Sequence, residues 1–292
     1  MLNTSNTRYE YSPYAPFVWV LDGWQDFISS EKLKNLDDFI SLQGEIVDQN
    51  RRSQVHSLKL GPLQQTFYLK IHKDYVKRSW NTLFRSSPII IKELKNLMHY
   101  ARAGFDVLEP VAWGWRPRKG GGDSFMLVAE LEGYKSLQDW VSVQDNVDDH
   151  NKIQTMIKSV AEMVHCIHKS DLAHVDLFSW HVFLKPKGDA FETLPIDLER
   201  TEIKDHLPWS TWRIRRKQAS DLAALHLTVP WPQISLSERM RFFLYYRGHN
   251  RLTNGDKRFL RTVLKLASSR GKHSKFKPYD IADKLRKLRQ KT

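Results

Sequence analysis

The spacing of apolar positions changes near residue 135 and divides the sequence into two parts. Before that point, short apolar and aromatic runs alternate with turn residues, a pattern typical of β-strands. After it, apolar residues recur every three or four positions, which predicts amphipathic helices. The strands are predicted at about 39–48, 54–60, 66–72, 107–115 and 125–131.

Helix signals agree with this division. In the first part, Leu94, Leu97, Met98 and Ala101 fall at helical spacing, and Gly104 is placed to end that helix. In the second part, a strongly amphipathic helix runs from Ile153 to Ile167. Ser235 and Glu238 have the spacing of a capping box, and further helices are predicted at about 217–227, 235–247, 253–269 and 279–290.

A β-rich half followed by a helical half predicts an α+β, two-lobed architecture. We divide the chain into an N-terminal extension (1–38), a sheet-rich lobe (39–131) and a helical lobe (132–292). The sequence leaves the role of the extension open, because its run 17–21 fits either a strand or an amphipathic surface patch.

Charge and cysteine content narrow the function classes. The formal net charge of +13 favours anionic partners. Cys166 is the only cysteine, so no disulfide can form within the chain, and we predict a buried thiol in a reducing compartment. The chain has no secretory leader pattern and no run of 18 apolar residues, so we expect a cytoplasmic protein without a transmembrane segment.

Acidic and imidazole side chains frame two short apolar strands in the second part. Asp176 is followed five residues later by His181, and after a polar connection a second strand ends at Asp197. Pairing of these strands as a hairpin would bring all three side chains to one edge. Phosphoryl transfer needs such a set: a carboxylate to take a hydroxyl proton, and ligands for a magnesium ion.

A lysine on an apolar strand is the matching feature of the first part. Lys70 lies within the run Phe67–His72, and an ammonium group buried there needs an anionic partner. Glu93, on the following predicted helix, could supply it. Kinases use such a pair to hold a lysine against nucleotide phosphates.

These features stand in the order of the protein-kinase-like fold, and they resemble more narrowly the bacterial lipopolysaccharide kinase family. That family phosphorylates Kdo or heptose sugars of the inner core. Histidine at His181, where most kinases have asparagine, makes the resemblance closer to the heptose kinases than to the Kdo kinases. The motifs that carry the match are 42–45 leading to 50–53, 67–72, 174–184 and 196–200.

The resemblance implies a bilobal fold, ATP and Mg²⁺ as cofactors, and a role for each matching residue. Asp176 would be the catalytic base, Asp197 the main metal ligand and His181 a second ligand or phosphate donor. The remaining roles are nucleotide contact and support of the site. Nucleotide contacts are expected from Lys70, Glu93, Arg51, Arg52, Glu130 and Leu131, and support from His174 and Asp221.

Two aromatic and basic segments are candidates for binding the acceptor. Aromatic faces stack on sugars and arginines pair with phosphates, which suits a lipopolysaccharide core and lipid A acceptor. The candidate residues are Arg78, Arg85, Trp212, Arg213, Arg215 and Arg216. The basic stretch from Arg270 to Lys291 could lie on the anionic cytoplasmic face of the inner membrane, although a solvated helix is an equal reading.

Three other readings stay open from the sequence. A kinase-like enzyme could act on Kdo, protein, an antibiotic or another small molecule. A basic nucleic-acid-binding module would explain the charge but not the positions of the acids, so no nucleic-acid partner is expected. A metal site is the weakest alternative, because its histidines lack a recognised ligand spacing; they are His165, His168, His174 and His181.

Overall fold

The computed structural model describes residues 15–49, 52–73, 76–78, 86–119, 121–143, 149–229 and 234–273. The chain forms two compact units, Met1–Glu132 and Gly133–Thr292. The predicted α+β class, with a sheet in the first part and helices in the second, is confirmed.

The first unit contains an antiparallel sheet of six strands. Its strands are β1 (Phe17–Val20), β2 (Glu45–Gln49), β3 (Ser53–Leu60), β4 (Gln65–His72), β7 (Pro110–Arg118) and β8 (Gly121–Ala129), in the order β1-β7-β8-β4-β3-β2. A separate ribbon pairs β5 (Val76–Arg78) with β6 (Ser86–Pro88). The helices of this unit are α1 (Gln25–Ser30), α2 (Leu36–Ile40) and α3 (Ile89–Arg102).

Two findings differ from the sequence prediction in this unit. The predicted strand at 39–48 begins only at Glu45, because Asn35 and Asp38 form a capping box that starts α2 in front of it. All of β2 is exposed, so it carries no alternation that could have marked its start. The run at Phe17 is a strand, β1, which pairs with β7 as a sixth member of the sheet.

Residues of α1 and α2 supply part of the core of the first unit. Phe39 stacks on Phe125 of β8 with ring centroids 4.2 Å apart, and Phe27 stacks on Phe67 of β4 at 5.2 Å. Strand β4 alternates, so Phe67, Leu69 and Ile71 are buried together on this face. Lys70 therefore points to the other face of the sheet.

A glycine permits close packing in the β7–β8 hairpin. A Cβ atom on Gly122 would lie 2.1 Å from the Trp115 ring, so the indole can cover the strand only where no side chain stands. Arg118 lies opposite Gly121 where the two strands of this hairpin meet.

The second unit is mostly helical. Its helices are α4 (Leu137–Ser142), α5 (His150–Lys169), α6 (Ser210–Thr228), α7 (Leu236–Arg247) and α8 (Asn254–His273). Its short strands are β9 (Lys135–Ser136), β10 (Leu172–Ala173), β11 (Val182–Lys187), β12 (Ala190–Pro195) and β13 (Glu202–Ile203). They form a three-stranded sheet in the order β12-β11-β9 and a two-stranded pair of β10 with β13.

Local signals explain where several of these helices begin and end. The capping box of Ser235 and Glu238 is present at the start of α7, and Gly248 ends that helix in the left-handed conformation (φ 66°). Helix α6 begins seven residues before the predicted start at 217, because its exposed first turns carry no apolar periodicity. The predicted helix at 279–290 lies outside the described residues.

The prediction that Cys166 is buried is wrong. Its side chain is exposed, although α5 buries a long apolar stripe that includes Val164 and Ile167. Position 166 lies about 200° around the helix from position 164, so it falls on the solvent face. Within the described part of the chain, no helix is long and apolar enough to cross a membrane.

Candidate active site

Lys70 and Glu93 form an ion pair within the first unit. The Lys70 ammonium lies 3.0 Å from Oε2 and 3.3 Å from Oε1 of Glu93, with side chains only 17% and 4% exposed. Strand β4 positions the lysine in the middle of the sheet, between Val55 and Met126 on the neighbouring strands. Helix α3 presents the glutamate to it. The structure thus gives Lys70 the anionic partner that its setting requires.

The structure describes only some of the other residues of the first unit that are candidates for nucleotide contact. Arg52 is exposed at the connection between β2 and β3, while Arg51 lies outside the described residues. At the end of β8, the Glu130 amide donates a hydrogen bond to the Thr66 carbonyl at 3.0 Å. No hydrogen bond from the Leu131 amide is present within the described residues, and its contact with a nucleotide stays a prediction.

In the second unit, the hairpin of β11 and β12 brings the three predicted chemical groups together. Val182 pairs with Pro195, and the Ile196 amide donates to the His181 carbonyl at 3.0 Å, so Asp197 directly follows the residue opposite His181. His181 Nε2 is 3.7 Å from Oδ2 of Asp197, and His181 Nδ1 is 2.8 Å from the Asp176 carbonyl oxygen. The edge predicted from the strand pattern is therefore present.

The protonation of His181 follows from these contacts. A carbonyl oxygen only accepts hydrogen bonds, so Nδ1 carries the proton and donates it to Asp176. Burial lowers the pKa of His181 below its ordinary 6.5, and the Asp197 carboxylate only partly offsets this effect. The ring is therefore neutral near pH 7, and Nε2 presents a lone pair towards Asp197.

The backbone immediately before Asp176 is held in an unusual conformation. Val175 has φ 74°, a left-handed conformation that β-branched residues rarely adopt and that costs on the order of 1–3 kcal/mol. The buried carboxylate of Asp221, on α6, accepts the amide of His174 at 2.8 Å and that of Val175 at 2.7 Å. Asp221 thus fixes the strained loop through its main chain.

A second bond ties this loop to the metal-ligand candidate. The buried His174 ring donates Nε2–H to the Ile196 carbonyl at 2.9 Å, directly before Asp197. Asp197 itself is left-handed (φ 58°, ψ 55°), which turns its carboxylate off the end of β12. His174 therefore couples the position of Asp176 to that of Asp197.

Arg200 is an additional partner of the candidate base. Its Nη1 lies 2.9 Å from Oδ2 and 3.1 Å from Oδ1 of Asp176. A carboxylate offers about four lone-pair positions, so this contact orients the group and leaves others able to accept a hydroxyl proton. Arg200 stands in the 196–200 motif, but no sequence pattern indicates this contact.

Comparison with known proteins extends these observations. The sequence profile of the lipopolysaccharide kinase (Kdo/WaaP) family matches residues 37–246. This span covers more than half of the chain and includes each of the candidate chemical groups. The chain belongs to the lipopolysaccharide kinase family. It is therefore a phosphotransferase acting on lipopolysaccharide core, in a family that in general uses ATP.

A solved structure described as WaaP in complex with acyl carrier protein has the same fold as this kinase. The likeness covers 86% of this chain and 99% of that chain, with a TM-score of 0.62 and 19% sequence identity. At that identity the comparison shows the fold alone. No curated protein sequence matches the chain.

Two buried contacts of the kinase site were missed by sequence reasoning. His168 on α5 donates Nε2–H to Asp221 at 3.2 Å, and its Nδ1 lies 2.9 Å from the Tyr246 hydroxyl on α7. Since Nε2 carries the proton, Nδ1 accepts from that hydroxyl. Sequence distances of 53 and 78 residues separate His168 from these partners, so no local pattern could reveal them.

The loop also has an anchor beyond Asp176. The buried Ser179 bonds Thr228 twice, through its amide to Oγ1 and through its hydroxyl to the carbonyl, each at 2.9 Å. Thr228 is the last residue of α6, the helix that carries Asp221. One helix therefore holds the loop at both ends.

The histidines proposed as an alternative metal site do not act as one. His165 Nδ1 bonds the Tyr246 carbonyl at 2.7 Å, and His168 lies between Asp221 and Tyr246. His174 and His181 each donate to a main-chain carbonyl. Each of the four is thus explained by a protein hydrogen bond.

The candidate acceptor-binding residues differ in whether the structure describes them and in how exposed they are. Arg85 and the side chain of Arg78 lie outside the described residues. Trp212, Arg215 and Arg216 are exposed on the first turns of α6. Arg213, in contrast, is paired with Asp205 at 2.7 Å.

Proposed function

We propose that this kinase transfers the γ-phosphate of ATP to a heptose hydroxyl of the lipopolysaccharide inner core. The observation that carries the proposal is the cluster of Asp176, His181 and Asp197 at one edge of the second unit of a chain in this family. Histidine at position 181 resembles the heptose kinases and favours that sugar over Kdo.

In this reaction Asp176 takes the proton of the acceptor hydroxyl. The hydroxyl oxygen forms a bond to the γ-phosphorus as the bond to the leaving ADP breaks. Arg200 and the Val175 backbone fix the direction of the Asp176 carboxylate, so little motion is needed when the acceptor arrives. In the first unit, Lys70 contacts the nucleotide phosphates while Glu93 holds its ammonium in place.

Asp197 and His181 fit a divalent cation. The neutral Nε2 and the carboxylate Oδ2 lie 3.7 Å apart, and neither has a proton to donate to the other. A cation between them would be attracted by the carboxylate charge and by the imidazole lone pair. Imidazole is a weaker magnesium ligand than oxygen, so we assign Asp197 the larger share of Mg²⁺ binding. When bound, the ion neutralises charge on the transferring phosphate.

The acceptor places the enzyme at a membrane. We propose that the kinase works at the cytoplasmic face of the inner membrane, where lipid A anchors the core. The net charge of +13 supports contact with an anionic surface. Acceptor contacts from Arg78, Arg85, Trp212, Arg213, Arg215 and Arg216 remain a prediction.

A phosphate-transfer assay tests which sugar accepts the phosphate. The full chain is given ATP, Mg²⁺ and two defined core oligosaccharides, one with an exposed heptose and one ending in Kdo. We expect phosphate on the heptose acceptor, located by mass spectrometry. Transfer to the Kdo acceptor alone would overturn the heptose assignment and keep the family reaction. Transfer to neither, by a folded enzyme with Mg²⁺ and ATP, would contradict the proposed function.

A second proposal concerns a partner. The second unit contains a largely apolar cavity of about 150 Å³, lined among others by Met156, Val160, Leu225, Phe243 and Val263. The solved WaaP is in complex with acyl carrier protein. We propose that this chain also binds an acyl carrier protein, and that the cavity receives part of its acyl chain.

Filling the cavity tests that proposal. Val160→Trp should weaken binding of acylated carrier protein, measured by calorimetry, towards the affinity for the unacylated form. Lys158→Trp adds the same bulk on the exposed face of α5 and serves as the control. Equal affinity of the wild-type chain for both forms of the carrier would contradict a role of the cavity.

A further inference from the structure

The start of α6 exposes a compact group of apolar and basic side chains. Leu207, Trp209 and Trp212 are 43%, 59% and 64% exposed, and Arg215 and Arg216 follow on the same helix. We call these five residues the aromatic–arginine patch. Exposed tryptophans close together in sequence are uncommon on a protein surface, and the unit gains no core packing from them.

The backbone beneath the patch is well fixed. The Asp205 amide donates to Ser210 Oγ at 2.8 Å, and the Leu207 amide donates to Oδ1 of Asp205 at 3.0 Å. Ile214 is buried on the opposite side of the helix and anchors it. The apolar side chains therefore project from a rigid turn.

Charge pairing around the patch is unequal. The two nearby acids are engaged by other cations, since Arg213 lies 2.7 Å from Asp205 and Lys217 lies 2.8 Å from Glu202. Arg215 and Arg216 have no carboxylate partner within the described part of the chain. The Arg216 guanidinium instead lies over the Trp212 ring, 5.5 Å from its centroid. The patch thus offers apolar area and positive charge.

This combination favours a lipid surface over a sugar. Sugar hydroxyls are bound by carboxylates and amides beside an aromatic ring, and here both acids are already occupied. Tryptophan prefers the headgroup level of a bilayer, and arginine is attracted to anionic headgroups. Leu207 adds apolar area that suits the region just below the headgroups.

We propose that the aromatic–arginine patch docks the kinase on an anionic phospholipid bilayer, with Trp209 and Trp212 at headgroup level and Arg215 and Arg216 on lipid phosphates. The inference rests on the proposed function, because the core acceptor is anchored in such a membrane by lipid A. It assigns the first turns of α6 to contact with the lipid surface, whereas the sequence pattern suggested that these residues bind the acceptor.

Vesicle sedimentation with the full chain tests the proposal. Vesicles of phosphatidylglycerol and phosphatidylethanolamine are compared with vesicles of phosphatidylcholine, without ATP or acceptor. The wild-type chain should bind the anionic vesicles and bind the neutral ones weakly. Trp209→Ala/Trp212→Ala should weaken binding on the order of tenfold or more, from lost apolar burial.

The charge contribution has a matched control. Arg215→Gln/Arg216→Gln should weaken binding by about fivefold per arginine, roughly 25-fold in total. Arg258→Gln/Arg261→Gln removes the same charge from exposed positions of α8 and should change binding much less. Circular dichroism checks that every variant is folded.

Several outcomes would overturn the proposal. They are an absence of wild-type binding to anionic vesicles, equal loss in both arginine double variants, or full binding by the tryptophan variant. If the patch variants had a raised KM for a soluble core oligosaccharide but bound vesicles as the wild-type chain does, the patch would instead be assigned to the acceptor glycan. A wild-type chain that binds vesicles but transfers no phosphate would leave the docking proposal standing and remove the proposed function.

Discussion

Asp221 and Asp256 in the second unit are both fully buried carboxylates that accept several hydrogen bonds, but they have different roles. Asp221 accepts three hydrogen bonds, and two come from the main-chain amides of His174 and Val175. Asp256 accepts four, from Arg247, His249 and twice from Thr253. Asp256 joins the end of α7 to the start of α8, far in sequence from the catalytic loop.

The difference lies in what each acid holds. Asp221 holds a backbone with a left-handed valine next to the candidate base, whereas Asp256 holds side chains and one main-chain amide at a helix connection. Burial of a charge is thus a poor sign of function when taken alone. The partners of the charge decide whether its loss should affect catalysis or only stability.

Of the substitutions that test this comparison of the two acids, Asp221→Asn should have the largest effect. An amide nitrogen would replace one acceptor oxygen, so at least one of its three N–H partners would face another donor. Released strain at Val175 would then move Asp176, and a displacement near 1 Å can cost on the order of 10²-fold in rate. We expect kcat to fall by that order in protein that circular dichroism shows to be folded. A folded Asp221→Asn variant with wild-type kcat would show that Asp221, like Asp256, serves stability alone.

Asp256→Asn is the matched test at the other site. It replaces one acceptor oxygen by an amide nitrogen, so either Arg247 or the His249 and Thr253 donors lose their acceptor. This loss should lower the free energy of unfolding by roughly 2 kcal/mol. The kcat of the folded fraction should stay near that of the wild type. Urea unfolding and initial-rate kinetics on one preparation measure both quantities. A large loss of kcat without loss of stability would contradict the purely structural role.

The acid sensitivity of the chain should also depend on Asp256. Burial raises the pKa of this carboxyl, but hydrogen bonds from Thr253, His249 and Arg247 outweigh burial and hold it well below the ordinary 3.8. A lowered pKa stabilises the fold above about pH 3.8, and the contribution is lost as the pH falls through the folded-state value. Unfolding midpoints at successive pH values should fall less steeply in Asp256→Asn. Identical acid profiles would show that the carboxylate contributes nothing there.

Tyr246→Phe should give the smallest effect. It removes the hydroxyl that donates to His168 and leaves the ring and the Asp221 contacts in place. The loss of one buried hydrogen bond is worth about 1 kcal/mol in stability. We expect only a few-fold decrease of kcat, since His168 acts on the loop through Asp221. A decrease as large as that of Asp221→Asn would show that the Tyr246 hydroxyl, not the Asp221 carboxylate, determines the conformation of the loop.

Sequence patterns identified the elements that carry local signals. Alternation and apolar spacing located β4 and α3, and their order placed Glu93 on a helix from which it could reach Lys70. The strand pairing that joins His181 to Asp197 followed from two short apolar runs with a polar connection between them. Asp221 came from family resemblance, because a single acid on a helix has no pattern of its own.

Other contacts could not be predicted, for physical reasons that differ. Arg200 reaches Asp176 only because Asp197 turns the chain with a positive φ. Thr228 meets the loop at Ser179, and Tyr246 meets His168, through the packing of helices distant in sequence. The start of α6 was missed because its exposed tryptophans and arginines interrupt the apolar stripe that marks a helix.

The most direct test of the account is transfer of radiolabelled phosphate from ATP to a heptose-exposed core acceptor by the wild-type chain and by Asp176→Asn. The substitution keeps the volume of the side chain and one oxygen for Arg200, but removes the proton acceptor. We predict robust transfer by the wild-type chain and a rate lower by about 10²–10⁴-fold in the folded variant. A folded Asp176→Asn enzyme that transfers phosphate at the wild-type rate would contradict the central claim.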